Sequence, residues 1–200
     1  MEALTRRRWR NRLPHWEIEN GIYFVTVRCA GSLPSGVREK IKELQIALDA
    51  IDSRDKDFQS LQRQIFLTAE KYLDRGEGFA PFKETKACHA LAEHFETLES
   101  GWLLTDWVIM PNHIHFLVID AGSSFSLGEA MRRFKGRSAR ICNQALGRRG
   151  SFWQRDWFDR WVRGPAELNK IRQYIAQNPV KAGFASTPEN YPWWRCYRPD

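Results

Sequence analysis

Cysteine is scarce: there are four in 200 residues, at Cys29, Cys88, Cys142 and Cys196, and no two form a C-x-x-C pair. That spacing excludes a zinc ribbon and offers no disulfide framework, so reduced, partly buried thiols are expected. No apolar run reaches the roughly eighteen residues a transmembrane helix needs, and no membrane association is expected. The start, from Met1 to Arg12, is basic, but no apolar segment follows it. A secretory signal is therefore not expected, and the expected compartment is the cytoplasm. There is no P-loop, no internal repeat and no low-complexity segment.

What the chain has in excess is positive charge and tryptophan. It carries 31 basic and 24 acidic residues, a formal net charge of +7, with 42% hydrophobic residues, an ordinary balance for one globular domain of residues 1–200. The excess is uneven: residues 29–100 hold 10 basic and 13 acidic groups, whereas residues 101–200 hold 15 and 8. A polyanionic partner is expected to meet the second half. Nine Trp residues, several beside Arg, suit stacking on unpaired bases, though filling a core is the plainer use for most of them.

Periodicity divides the chain into elements. Residues 1–20 form a basic N-terminal arm with Arg6, Arg7, Arg8, Arg10 and Arg12, suited to a phosphate backbone or to a solvated terminus. Ile22–Arg28 is β-branched and aromatic, a strand. Residues 37–100 are largely helical and mildly acidic, with apolar stripes over Val37–Ile51, Phe58–Leu73 and Ala87–Leu98, and show no evident chemistry. Trp102–Met110 and His113–Ile119 read as a buried hairpin turned at Pro111-Asn112. Ser126, with Glu129 three residues on, forms a capping box for a helix bearing Leu127, Met131 and Phe134. An aromatic, charged loop from Phe152 leads toward a further strand. Pro165 starts a last helix, which Pro179 is expected to end by disfavouring helical geometry at Asn178.

Two features carry candidate chemistry. In a strand, His113 and His115 emerge on one face, about 7 Å apart along the chain, so that two ring nitrogens can converge on one divalent ion. Alone, the pair leaves metal binding and satisfied buried histidines equally open. Tyr174 and Asn178, four apart, share a helix face, and alone read as a boundary residue and a cap. If that helix packs beside the histidine strand, the Asn178 amide oxygen can complete a three-ligand site toward which the Tyr174 hydroxyl points. Two imidazoles and an amide oxygen with open positions suit Mg²⁺ or Mn²⁺ better than zinc.

Met110-Pro111-Asn112-His113-Ile114-His115-Phe116-Leu117-Val118 resembles the His-hydrophobic-His signature of the single-tyrosine (HUH) transposases. Tyr174-Ile175-Ala176-Gln177-Asn178-Pro179-Val180-Lys181-Ala182-Gly183 resembles their tyrosine helix. Gly150–Arg163, with Phe152-Trp153-Gln154-Arg155, is similar to a stretch of the REP-associated tyrosine transposases, and Tyr23-Phe24-Val25-Thr26 extends the likeness to about residues 20–190. The resemblance implies an α+β, ferredoxin-like antiparallel sheet with helices on one face, plus the helical insertion. It implies Tyr174 as nucleophile and His113, His115 and Asn178 as ligands of Mg²⁺ or Mn²⁺; relatives often carry Gln where Asn178 stands. It implies cutting and rejoining of single-stranded DNA at REP-like palindromic hairpins, through a 5′-phosphotyrosine, by a monomer or homodimer.

Charge adds Arg132, Arg133, Lys135, Arg137 and Arg140 as candidate phosphate contacts, with Trp153 and Arg155 as candidate base contacts. Two other readings remain open: a non-catalytic nucleic-acid module, and a hydrolase that uses water with Tyr174 structural.

Overall fold

The computed structural model describes residues 5–10, 14–52, 56–95 and 100–197. Its centre is a five-stranded antiparallel sheet of Ile22–Arg28 (β3), Trp102–Met110 (β4), His113–Asp120 (β5), Phe158–Trp161 (β6) and Trp194–Arg195 (β7), in the order β6-β3-β5-β4-β7. Without β7, the strands and the helices between them follow the β-α-β-β-α-β order of a ferredoxin-like unit. Three helices, Ser35–Asp49 (α1), Lys56–Leu73 (α2) and Thr85–Phe95 (α3), connect β3 to β4; Leu127–Ala145 (α4) connects β5 to β6, and Pro165–Lys181 (α5) follows β6. Residues 96–98 of the helix expected over Ala87–Leu98 lie outside the described residues.

Helices cover both faces of the sheet, not one. Tyr23, Val25, Val27, Ile114, Phe116 and Val118 share a core with Leu91 and Phe95 of α3 and Met131 and Phe134 of α4. The opposite face carries Phe24, Val108, Met110 and Leu117, packed against Ile175 of α5 and Phe66 of α2. The reason is legible in β5, whose side chains are apolar on both sides, so both faces need cover. Helices α1 and α2 also bury Val37, Ile41, Leu48, Phe58, Ile65 and Leu73 in a separate small core.

The basic N-terminal arm is a two-stranded antiparallel ribbon of Thr5–Arg10 (β1) and Pro14–Ile18 (β2); Arg12 of the expected arm lies outside the described residues. His15 fastens this ribbon to the sheet: its ring is buried, Nδ1 donates to Asp159, and Nε2 donates to Asp156 at 3.3 Å. Burial alone would lower the His15 pKa, but hydrogen bonds and charges from the two aspartates outweigh it and raise it to about 9.

The capping box at Ser126 and Glu129 forms as expected. The end of α5 does not. Pro179 lies inside the helix, which runs on to Lys181. Gly183 is the stop: at φ +77° its N–H donates to Val180 O at 3.0 Å, while Phe184 N–H donates to Pro179 O at 2.8 Å. This Schellman closure satisfies the last carbonyls, and a left-handed glycine provides it at no steric cost. The proline ring disfavours helix at the preceding residue without forbidding it in a packed last turn, and Pro179 is buried.

Candidate active site

Register brings the site together. Across β3 and β5, Thr26 is paired with His115 and Arg28 with His113. Both imidazoles are fully buried on the sheet face covered by α5, and their Nε2 atoms lie 3.0 Å apart. The outer nitrogens are engaged: His113 Nδ1 donates to Asn112 Oδ1 at 2.8 Å, and His115 Nδ1 lies 2.7 Å from Thr26 Oγ1. Burial, and then the neighbouring His115, push the His113 pKa down to about 3, so that ring is neutral. With its proton on Nδ1, His113 directs a lone pair inward.

Asn112 is more than a turn residue. It is fully buried, its side-chain nitrogen donates to Glu77 O at 3.0 Å, and its backbone carbonyl accepts from Cys29 N–H at 2.8 Å. The hairpin turn is thereby clamped, and His113 with it.

Helix α5 lies beside the histidine strand, held in part by Arg172 Nε, 3.2 Å from buried Asp106 Oδ2 of β4. Its Tyr174 ring sits 5.3 Å from the His115 ring and 5.7 Å from Phe24, edge-on to the latter. Asn178, one turn on, is buried, and its Oδ1 has no hydrogen-bond partner. The structure thus brings Tyr174 beside His115 and His113 from separate stretches of sequence, with Asn178 one turn further along the tyrosine helix.

It adds Glu70, from α2. The Tyr174 hydroxyl donates to Glu70 Oε2, which also lies 3.2 Å from His115 Nε2. Burial works against the Glu70 charge, but the charge and hydrogen bond of His115 prevail, and the carboxyl lies below its usual range. The Tyr174 phenol is pushed well above its usual value, first by burial and then by Glu70. Asp74, one turn further along, is raised to about 6 by burial and by Glu70. Sequence reading finds no chemistry in this helix because Glu70 borders its apolar stripe. The one signal is its i, i+4 spacing from Phe66, which stacks against Phe158 with ring centroids 4.5 Å apart.

These side chains fit a divalent cation. Glu70, His113 and His115 each offer a ligand atom, all within 4.8 Å of one another and all from buried residues. Glu70 Oε1 is buried with no partner, a costly arrangement that a cation at the histidine pair relieves, and Asn178 Oδ1 on α5 is likewise buried without a partner. The mixture of imidazole and hard oxygen suits Mg²⁺ or Mn²⁺.

The candidate DNA contacts divide. Arg132, Lys135 and Arg155 line one groove of about 630 Å³ between α4 and the loop before β6. Lys135 Nζ donates to Arg155 O at 2.6 Å, and burial lowers its pKa to about 8. Trp153 reaches the same groove but is 8% exposed; its indole N–H donates to Ser138 Oγ at 2.9 Å, and its ring lies edge-on to Phe152. Its face is therefore committed to the core. Arg133 stacks over Phe125 at 4.2 Å, and Arg133, Arg137 and Arg140 are not part of the groove lining.

Comparison with known proteins bears on the fold and on part of the sequence. No curated protein matches the chain. Over the whole fold, the chain is similar to a solved REP-associated tyrosine transposase bound to a REP hairpin, with a TM-score of 0.52 and 17% identity, covering 92% of this chain and 82% of that one. At that identity the likeness concerns the fold. Residues 84–178 match the family model for IS200-like transposases. The matched stretch, just under half of the chain, contains His113, His115, Tyr174 and Asn178.

Proposed function

We propose that the protein is a metal-dependent endonuclease and strand transferase for single-stranded DNA, acting at palindromic hairpins through a 5′-phosphotyrosine on Tyr174. The observation that carries this reading is the Tyr174 ring 5.3 Å from His115, beside a buried pair of imidazoles whose Nε2 atoms face each other. A tyrosine serving only as packing has no need of that neighbourhood.

His113 and His115, with the unpartnered Asn178 oxygen, would hold Mg²⁺ or Mn²⁺. Such a cation, when bound, polarises a phosphate oxygen and lowers the pKa of nearby hydroxyls. Asn112 and Thr26 orient the two rings. Phe24 and Phe66 pack against the phenol ring, with centroids 5.7 and 6.2 Å away, and hold it in place. The Tyr174 oxygen attacks the phosphorus of a backbone phosphate, and the bond from phosphorus to the 3′ oxygen breaks. The phenol gives up one proton and the 3′ oxygen gains one. The phosphodiester energy is kept in the tyrosine linkage, so a free 3′-OH can reverse the step without a nucleotide cofactor. Arg132, Lys135 and Arg155 would track the DNA backbone along their groove. The similar structure bound to a REP hairpin supports hairpin DNA as the substrate class.

The test is a denaturing gel of the protein incubated with end-labelled hairpin DNA and Mg²⁺. A label that migrates with the protein is expected. Cleaved DNA without a protein-linked band would mean a hydrolase that uses water. Binding without cleavage would mean a nucleic-acid module.

A further inference from the structure

We propose that Glu70, on the helix pair inserted between β3 and β4, is the carboxylate ligand of the divalent cation, so that the insertion is part of the active site. This rests on the metal-dependent reading above and deepens it.

Three observations carry it. Glu70 offers a ligand atom within 4.8 Å of those of both histidines. Its two oxygens are differently engaged: Oε2 meets the Tyr174 hydroxyl and His115, whereas Oε1 is buried with no partner. A buried carboxylate oxygen without a partner is costly, and a cation at the histidine pair removes the cost. The third observation is charge. Two imidazoles and an amide contribute no negative charge, and hard divalent cations are bound chiefly through carboxylate oxygens. Glu70 supplies that charge from within the site.

The helix is set to do this. Phe66, one turn earlier on α2, packs between Phe24 and Phe158 and fixes the height of the helix over the sheet. Glu70 is thereby brought over His115. The stretch matching the IS200-like family begins at residue 84, beyond Glu70, so this ligand comes from outside the matched segment. The same carboxylate holds the hydroxyl of Tyr174, and so ties the nucleophile to the ligand set.

The test is calorimetric titration of Mn²⁺ alone into the full chain without DNA, for wild type and Glu70→Gln. The variant is expected to bind at least about tenfold more weakly, a loss typical of even a supporting group at a metal site, and to lose the rise in melting temperature that Mn²⁺ gives wild type. Wild-type affinity within twofold in Glu70→Gln overturns the proposal while leaving the metal-dependent reading intact. No Mn²⁺ binding by wild type overturns both. The same comparison between Tyr174→Phe and Tyr174→Phe with Glu70→Gln removes the hydroxyl from both sides. A tenfold difference there assigns the effect to ligation, and no difference assigns it to the hydrogen bond and overturns the proposal.

Discussion

The Tyr174 hydroxyl donates a hydrogen bond to the carboxylate of Glu70, 104 residues earlier in the chain. That contact joins the last helix to the inserted one across the histidine pair. It also holds the phenol neutral, since burial and the carboxylate both oppose its ionisation.

Thr26 is expected to matter through His115. Its hydroxyl can donate to or accept from Nδ1, and so serves either tautomer. With a cation on Nε2, the proton must sit on Nδ1 and needs an acceptor. Thr26→Val removes that acceptor at nearly constant shape and is expected to weaken Mn²⁺ binding about 10- to 100-fold. Calorimetry on the folded variant measures it; unchanged affinity would show that the Thr26 contact does not support the ligand.

His15 makes stability depend on pH. Its folded pKa, about 9, lies above the unfolded value of 6.5, so its contribution is complete below about pH 6.5 and is lost as pH rises through 9. His15→Ala leaves two buried aspartates without their cation and is expected to cost about 3 kcal/mol at pH 6. Urea unfolding at pH 6 and at pH 9.5 measures both effects. A His15→Ala deficit of the same size at both values would contradict the charged-pair account.

How much of the molecule is legible in the sequence follows from what each signal depends on. The histidine strand, the capping box and the tyrosine helix are readable because alternation, capping and i, i+4 spacing are local. Glu70 is not, because its role arises only when α2 settles on the sheet through Phe66. Asn112 reads as a turn residue, and its hold on His113 depends on burial by neighbouring loops. Trp153 reads as available to a base, but in the fold its N–H is spent on Ser138. The end of α5 misleads because a visible proline outweighs the glycine four residues later.

Gly183 supplies the test of that correction. At φ +77°, with open space around the position a Cβ would take, Gly183→Ala suffers backbone strain alone. The expected loss is about 1 kcal/mol, seen as a lower melting temperature. No loss would mean that the Schellman closure does not hold the helix end.

The groove makes a prediction in salt. Arg132→Ala and Arg155→Ala are each expected to weaken hairpin binding whatever the sequence, and to reduce the slope of log Kd against log salt by about 1. Arg140→Ala, outside the groove lining, is expected to leave the slope as it is. Fluorescence anisotropy across a salt series separates them, and equal slopes for all three variants would remove the groove as the backbone site.

The central claim is that the Tyr174 oxygen becomes covalently joined to DNA. The most direct measurement compares wild type with Tyr174→Phe on a denaturing gel, using labelled hairpin DNA and Mg²⁺, with binding followed in parallel. The account predicts that Tyr174→Phe forms no protein-linked band yet still binds the hairpin. A protein-linked band of wild-type intensity from Tyr174→Phe would contradict it.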